Sequence, residues 1–257
     1  MTSKPDYGID APGVVRNLYL VFLAGIAAYV TARFGLWSGV VFHNDLAHTG
    51  LYMGLICGAM GTWMLYDSKV GKLAERERLL DLIELRPDEN VLDLGCGRGL
   101  LLIGAAKRLT SGRATGLDLW SADDLTGNSP EAALENARRE GVAERVEVKT
   151  GDMRKMPFPD ASFDAIVSNV AIHNIYEREG RAEAMREIAR VLKPGGRVMI
   201  HDIRHINQYA SELTRLGLTR VERRGSTALR IFLFLVTFGS LRPDIVTAHQ
   251  VAQRRQQ

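Results

Sequence analysis

Charged and apolar residues divide this chain into two unlike parts. Nearly all of the charge lies after Lys69, and the first third is apolar. Two uncharged stretches occur there, at residues 18–32 and 49–66. A helix needs about 20 apolar residues to cross a bilayer core of about 30 Å. The second stretch nearly reaches that length, and the first reaches it if Arg16 and Arg33 extend toward the head groups.

These stretches predict a transmembrane helical hairpin in a region spanning residues 1–68. Its helices are expected over about residues 15–35 and 48–66, with residues 34–48 as the turn. Aromatic side chains with a polar tip, which favour the membrane interface, fall near the helix ends. They are Tyr19, Tyr29, Trp37, Trp63 and Tyr66.

Small residues repeat along both predicted helices. Gly50, Gly54 and Gly58 are four residues apart, so they share one helical face that another backbone can approach closely. Ala24 and Ala28 give the first helix a matching face. The same glycine face could instead join two chains, so an oligomer through Gly50, Gly54 and Gly58 stays open.

Basic residues flank the two outer ends of the hairpin, and the turn has little beyond Arg33. They are Lys4, Arg16, Lys69, Lys72, Arg76 and Arg78. This asymmetry predicts a multi-pass protein of the cell membrane with both termini and the part of the chain that follows the hairpin in the cytoplasm. Two buried helices of a soluble protein are the alternative. A cleaved signal peptide fits poorly, because a second hydrophobic segment follows.

After the hairpin, strand and helix patterns alternate over residues 69–257, which predicts a second, α/β domain with a mostly parallel sheet. Further strands are expected near Val221 and within residues 232–246, and residues 231–238 favour a buried strand because they are too short to cross a membrane. The first five strands are predicted over residues 90–94, 113–118, 145–150, 163–169 and 197–202. The intervening helices are predicted over residues 73–85, 100–109, 130–140, 177–192 and 204–216.

Composition narrows the function classes. The formal net charge of +3 is mild, and there is no basic, aromatic-rich appendage, so a nucleic-acid partner is disfavoured. The two cysteines, Cys57 and Cys96, do not suggest a disulfide framework. His43 and His48 lack further convergent ligands, so no metal is expected.

The most informative motif is the sequence VLDLGCGRG at residues 91–99, between a predicted strand and a predicted helix. Its glycines allow close backbone approach, and the helix N-terminus favours an anionic group. The glycine spacing differs from the Gly-x-Gly-x-x-Gly of dehydrogenases. Asp118 ends the next strand, where an acidic side chain can hold two ribose hydroxyls.

With the later motifs, this loop resembles motif I of the class I S-adenosylmethionine-dependent methyltransferases. Gly151-Asp152 resembles the family loop that contacts adenine, and residues 157–164 and 192–196 resemble the approaches to the fourth and fifth strands. The resemblance covers about residues 72–203 and implies a seven-stranded, doubly wound sheet with S-adenosylmethionine as cofactor. The cofactor-binding residues it implies are Asp93, Gly95, Cys96, Gly97, Gly99, Asp118, Leu119, Asp152, Met153 and Asn169.

One segment departs from the family pattern. Residues 120–128 are inserted before the next helix, and we interpret them as a flap over the adenosine or the substrate entrance, with an exposed turn as the alternative. The insertion and the later Asn174-Ile175-Tyr176 resemble a bacterial, membrane-anchored subgroup of the family. The substrate-pocket candidates are Trp120, Asn128, Asn174, Tyr176 and Asp202, with His201 and His205 as further ones.

His173, just past the fourth strand, is the candidate general base, because imidazole titrates near neutrality. The alternative is that it only packs beside the cofactor. Residues 168–171 lack the Asp/Asn-Pro-Pro-Tyr tetrad of methyltransferases that act on planar amines. The predicted hairpin favours a small lipophilic acceptor, such as a quinone-like ring, a lipid head group or an apolar thiol.

Three other functions stay in view. They are methylation of a soluble small molecule, cofactor binding without catalysis in a membrane-anchored protein, and nicotinamide-dependent oxidation. The last of these would leave the later motifs unexplained.

Overall fold

The computed structural model describes residues 4–36, 43–228, 231 and 242–252. The chain forms two compact units. One comprises Tyr7–Ala74 and Ser121–Gly127, and the other comprises Met1–Asp6, Glu75–Trp120 and Asn128–Gln257. This division differs from the predicted boundary at residue 68, because residues 4–6 group with the sheet and Ser121–Gly127 groups with the hairpin.

Helices α1 (Pro12–Arg33) and α2 (His43–Tyr66) form the hairpin. Their backbones pack closely at Gly25: a Cβ added to this residue would lie 2.3 Å from the Gly50 carbonyl oxygen. Gly54 faces Phe22 and Gly25, and Gly58 faces the Phe22 ring. The predicted face of α2 is therefore covered by α1 of the same chain rather than left for a second copy.

The partner face on α1 requires a correction. Ala28 lies opposite Gly50, as expected, but Ala24 is exposed and Gly25 is buried in the contact. Tyr19 of α1 adds a polar contact, because its Oη lies 2.9 Å from Thr62 Oγ1. Trp37 lies outside the described residues.

The outer surface of the hairpin is apolar. In the described part of the chain, α1 is the one helix that is long and apolar enough to cross a membrane, and only 11% of its most apolar 18-residue window is buried. Large exposed side chains on the two helices include Leu20, Leu23, Tyr52, Met53, Leu55, Ile56 and Trp63.

A π-helical turn, Asp67–Gly71, follows α2 and leads into α3 (Lys72–Asp81). The Lys72 ammonium is buried and donates to the carbonyl oxygens of Tyr7 (2.8 Å) and Gly8 (3.1 Å) and to the Asp10 carboxylate (3.2 Å). The Asp10 backbone N–H also donates to Ser68 Oγ at 3.2 Å. These bonds hold the N-terminal segment at the base of the hairpin.

The second unit contains the predicted seven-stranded, mostly parallel sheet, in the order β3-β2-β1-β4-β5-β7-β6. Strands β1 to β5 pair in parallel, and β7 is antiparallel to β5 and β6. The strands are β1 (Asn90–Leu94), β2 (Arg113–Asp118), β3 (Val146–Thr150), β4 (Phe163–Asn169), β5 (Leu192–Asp202), β6 (Thr219–Arg223) and β7 (Asp244–His249).

The helices of this unit begin and end for identifiable reasons. Helix α5 starts at Pro130, where the Ser129 hydroxyl accepts from the Ala132 N–H at 3.2 Å. Predicted to reach residue 85, α3 instead ends at Asp81, and Glu84 adopts a left-handed φ of 48° beyond it. The other helices are α4 (Leu100–Arg108), α6 (Arg178–Val191) and α7 (Ile206–Arg215).

The expected last strand is also shorter than predicted. Ile231 is helical and exposed, so the buried strand predicted for residues 231–238 is wrong at its first residue. Residues 232–241 lie outside the described residues. The strand itself begins at Asp244.

Candidate active site

The glycine loop lies between β1 and α4, at the carboxyl edge of the sheet. Gly95, Gly97 and Gly99 adopt φ values of 70°, 52° and 88°, which glycine reaches without strain. A Cβ on Gly95 would lie 2.2 Å from the Ala171 Cβ, so a larger residue does not fit there. Glycine at position 95 is thus required both by its backbone conformation and by the packing of Ala171.

Asp118 connects this loop to the end of β2. Its Oδ2 accepts from the Gly97 N–H at 2.7 Å, and its Oδ1 accepts from the Trp120 N–H at 2.6 Å and the Asn128 amide at 3.3 Å. A carboxylate has about four acceptor positions, so this partly exposed group retains capacity for a ligand hydroxyl.

Two predicted cofactor-binding side chains are instead buried under the loop. Asp93 is 2% exposed and accepts from the Leu102 N–H at 2.8 Å. Burial raises the pKa of Asp93 to about 7. Cys96 packs against Gly116, and burial raises the pKa of its thiol. Both side chains support the loop from below.

The residues expected at the adenine side surround the ends of β2 and β3. Leu119 is 63% exposed, Met153 is half-buried, and Trp120 Nε1 donates to Thr150 Oγ1 at 2.8 Å. The Asp152 carboxylate is paired with the Arg154 guanidinium at 2.6 Å, which lowers the pKa of Asp152.

The insertion is held in place by the N-terminal segment of its own unit. The Ala11 N–H donates to the Asp124 carbonyl at 3.0 Å, and the Thr126 N–H donates to the Ile9 carbonyl at 3.2 Å. Trp120 and Asn128, at the two ends of the insertion, both donate to Asp118. The predicted flap is therefore anchored by backbone hydrogen bonds.

A second group of residues joins the ends of β4 and β5. His173 Nδ1 lies 2.7 Å from Asp202 Oδ1, an electrostatic contact rather than an aligned hydrogen bond. Asp202 Oδ2 accepts from the His173 backbone N–H at 3.0 Å and from the Tyr209 hydroxyl at 3.2 Å. Asp202 is fully buried, so it holds His173 rather than lining a pocket as predicted.

The remaining predicted site residues differ in their burial and in their contacts. Asn169 Oδ1 lies 2.7 Å from His201 Nδ1, and burial lowers the pKa of His201. Asn174 is exposed, and Tyr176 is 89% exposed. Burial also lowers the pKa of His205, which precedes α7. Among the described residues, no group of three or more His, Cys, Asp or Glu could hold a metal ion.

Three of the described non-glycine residues with a left-handed φ lie at this edge of the sheet. Trp120, Val170 and His205 have left-handed φ values of 62°, 51° and 62°. A β-branched residue such as Val170 rarely adopts this conformation, and such strain concentrates at functional sites. All three lie just beyond the carboxyl ends of strands, where ligands bind in open α/β sheets.

The glycine cradle, the Asp118 carboxylate and the exposed Leu119 fit a nucleoside-containing cofactor. Positive-φ glycines admit the ligand to the backbone, the carboxylate can accept ribose hydroxyls, and an exposed apolar side chain can pack against adenine. Residues 91–196 match the family profile described as a methyltransferase domain. The chain thus contains a class I S-adenosylmethionine-dependent methyltransferase domain.

Relatives with known names share this domain. The chain is 35% identical over 141 residues to methyltransferase GfsG of Streptomyces halstedii, covering 53% of this chain and 47% of the relative. It is 34% identical over 125 residues to the ubiquinone/menaquinone biosynthesis C-methyltransferase UbiE of Ruegeria sp., covering 49% and 46%. The chain thus spans about half the length of these relatives.

The fold is also similar to that of a crystal structure of geranyl diphosphate C-methyltransferase from Streptomyces coelicolor. The TM-score is 0.55 at 19% identity, covering 69% of this chain and 79% of the other. At this identity, the similarity concerns the fold alone.

Proposed function

We propose that this protein is a membrane-bound methyltransferase that methylates a hydroxyl group or an acidic carbon of a small, lipophilic acceptor. The observation that carries the catalytic part is His173, held against the buried Asp202 carboxylate at the edge of the sheet. Two residues before it, Ala171 lies against Gly95 of the glycine loop. This contact supports a role for His173 beside the proposed cofactor site.

Cofactor binding and proton transfer are assigned to different residues. Asp118, Leu119 and the glycine loop bind the cofactor, with Met153 and Asn169 beside them, and S-adenosylmethionine supplies an electrophilic methyl group when bound. His173 Nδ1 faces Asp202, which leaves Nε2 to take the acceptor proton as the acceptor's oxygen or carbon forms its bond to the methyl group. The methyl–sulfur bond breaks, and S-adenosylhomocysteine leaves with the electron pair.

The hairpin supports a membrane location. Its exposed side chains form an apolar surface on both helices, which water would not favour in a soluble protein. Arg16 and Lys69 lie near its outer ends, which favours a position of the methyltransferase domain in the cytoplasm. The relative named for ubiquinone/menaquinone biosynthesis is consistent with a quinone-like acceptor.

The test is transfer of a labelled methyl group from S-adenosylmethionine by the full-length protein in membranes. Label in a lipid-extractable product, identified by mass spectrometry, is the expected result. Label only in water-soluble products would favour the soluble acceptor. Tight S-adenosylhomocysteine binding without any transfer, across membrane and soluble extracts, would favour a non-catalytic cofactor-binding protein.

A further inference from the structure

Residues 4–6 lie on helix α5 of the unit that contains the sheet. The Asp6 N–H donates to Asn136 Oδ1 at 2.9 Å, and Asn136 Nδ2 donates back to the Asp6 carbonyl at 2.8 Å. The Lys4 carbonyl accepts from the Arg139 guanidinium at 3.2 Å. Asn136 thus pairs with the segment as a neighbouring strand would, although 130 residues separate it from Asp6.

The same two residues hold Arg98, which stands between Gly97 and Gly99. Arg98 Nε donates to the Asp6 carbonyl at 2.7 Å, and Nη2 lies 3.1 Å from the Asp6 carboxylate. Asn136 Nδ2 also donates to the Arg98 carbonyl at 3.0 Å. Both the side chain and the backbone of the residue between two loop glycines are therefore fixed from outside the loop.

We propose that Asp6 and Asn136 are positioning residues that hold the glycine loop in its cofactor-binding conformation. This inference rests on the function proposed above. Glycine has the widest choice of backbone conformations, so a loop with three of them at positive φ loses much entropy when it binds a ligand. Contacts that fix the loop beforehand reduce this loss and raise the affinity.

The geometry separates this role from direct contact with the cofactor. Asn136 is 1% exposed, and its side-chain bonds go to Asp6 and Arg98. Asp6 reaches the loop through the Arg98 side chain, which is 16% exposed. Both residues therefore act on the cofactor through Arg98, and neither is a catalytic residue.

The experiment measures S-adenosylhomocysteine binding to the detergent-solubilised full chain by calorimetry. Asn136→Ala and Asp6→Ala should each weaken binding, with the Kd rising about tenfold for Asn136→Ala because buried polar groups lose their partner. The matched control is Arg138→Ala, since this α5 residue is exposed and paired with Glu135. Its Kd should not change.

Kinetics distinguish positioning from general destabilisation. The KM for S-adenosylmethionine should rise in Asp6→Ala, with kcat at saturating cofactor and the ligand-free melting temperature unchanged. If Asn136→Ala does not fold, Arg98→Lys serves in its place and should raise the Kd by an intermediate amount, because it keeps the charge but loses the guanidinium fork.

Two outcomes overturn the inference. If the wild type binds S-adenosylhomocysteine and the variants that fold bind it equally well, the positioning role is wrong and the proposed function stands. If the wild type binds neither S-adenosylhomocysteine nor S-adenosylmethionine, the proposed function fails, and the inference fails with it.

Discussion

His173 and Asp202 meet through two contacts, from the imidazole Nδ1 at 2.7 Å and from the histidine's own backbone N–H at 3.0 Å. If His173 is the general base, His173→Gln should reduce kcat by about 10²–10⁴. Asp202→Asn should also slow transfer, because the imidazole loses its charged partner. Initial rates at saturating cofactor measure the effect. Binding of S-adenosylhomocysteine should stay unchanged in His173→Gln, and an unchanged kcat would show that the histidine only packs.

Asp93 should make stability depend on pH. Burial raises its pKa from 3.8 to about 7, so the folded protein favours the protonated form. The protonated Asp93 carboxyl therefore contributes to the free energy of unfolding. This contribution is fully present below pH 3.8 and is lost as pH rises through about 7. Its size is at most on the order of 4 kcal/mol. The Asp93→Asn variant cannot ionise at this position. The difference between its melting temperature and that of the wild type should therefore increase in favour of the variant as pH rises across this window. Parallel curves would contradict the assignment.

Gly95 and Gly141 offer a matched pair of substitutions. Both have positive φ, of 70° and 72°, but a Cβ meets Ala171 at Gly95 and nothing within 4 Å at Gly141. Gly141→Ala should cost only the backbone strain, about 1 kcal/mol. Gly95→Ala should cost more and should also weaken cofactor binding. Denaturation curves and calorimetry compare the two, and equal effects would argue against a sterically closed loop.

The hairpin can be tested with adjacent residues. Gly25→Leu places a side chain where the Gly50 carbonyl oxygen lies, whereas Ala24 is exposed and should accept leucine. The Gly25 variant should separate α1 from α2 and lower the melting temperature of the detergent-solubilised protein. Ala24→Leu should leave it unchanged. Cysteine cross-linking across the helix pair measures the separation directly, and efficient cross-linking in Gly25→Leu would contradict this packing.

The sheet was predictable because its strands are short, apolar and bounded by turn residues. The predicted ranges for β1, β2 and β4 are identical to the observed ones. The end of the chain was harder, since an apolar run such as that beginning at Ile231 has no periodicity that separates a strand from a helix.

The candidate site could be predicted only in part, because sequence motifs give the positions of residues and not the directions of side chains. The motif located Asp93 and Cys96 but did not reveal that both point under the loop. Asp202 was singled out, but its contact with His173 depends on the pairing of β4 with β5. Tyr209 was missed, since one tyrosine on the inner face of α7 gives no catalytic signal.

The bonds between Lys72 and the N-terminal segment affect how this protein can be dissected. A shortened chain starting at residue 69 would keep the Lys72 ammonium but lose Tyr7, Gly8 and Asp10, which accept its hydrogen bonds. The same cut would remove Asp6 from Arg98. An inactive truncation would therefore not show that the enzyme needs a membrane. An informative truncation keeps residues 4–11 and joins them to the π-helical turn by a polar linker.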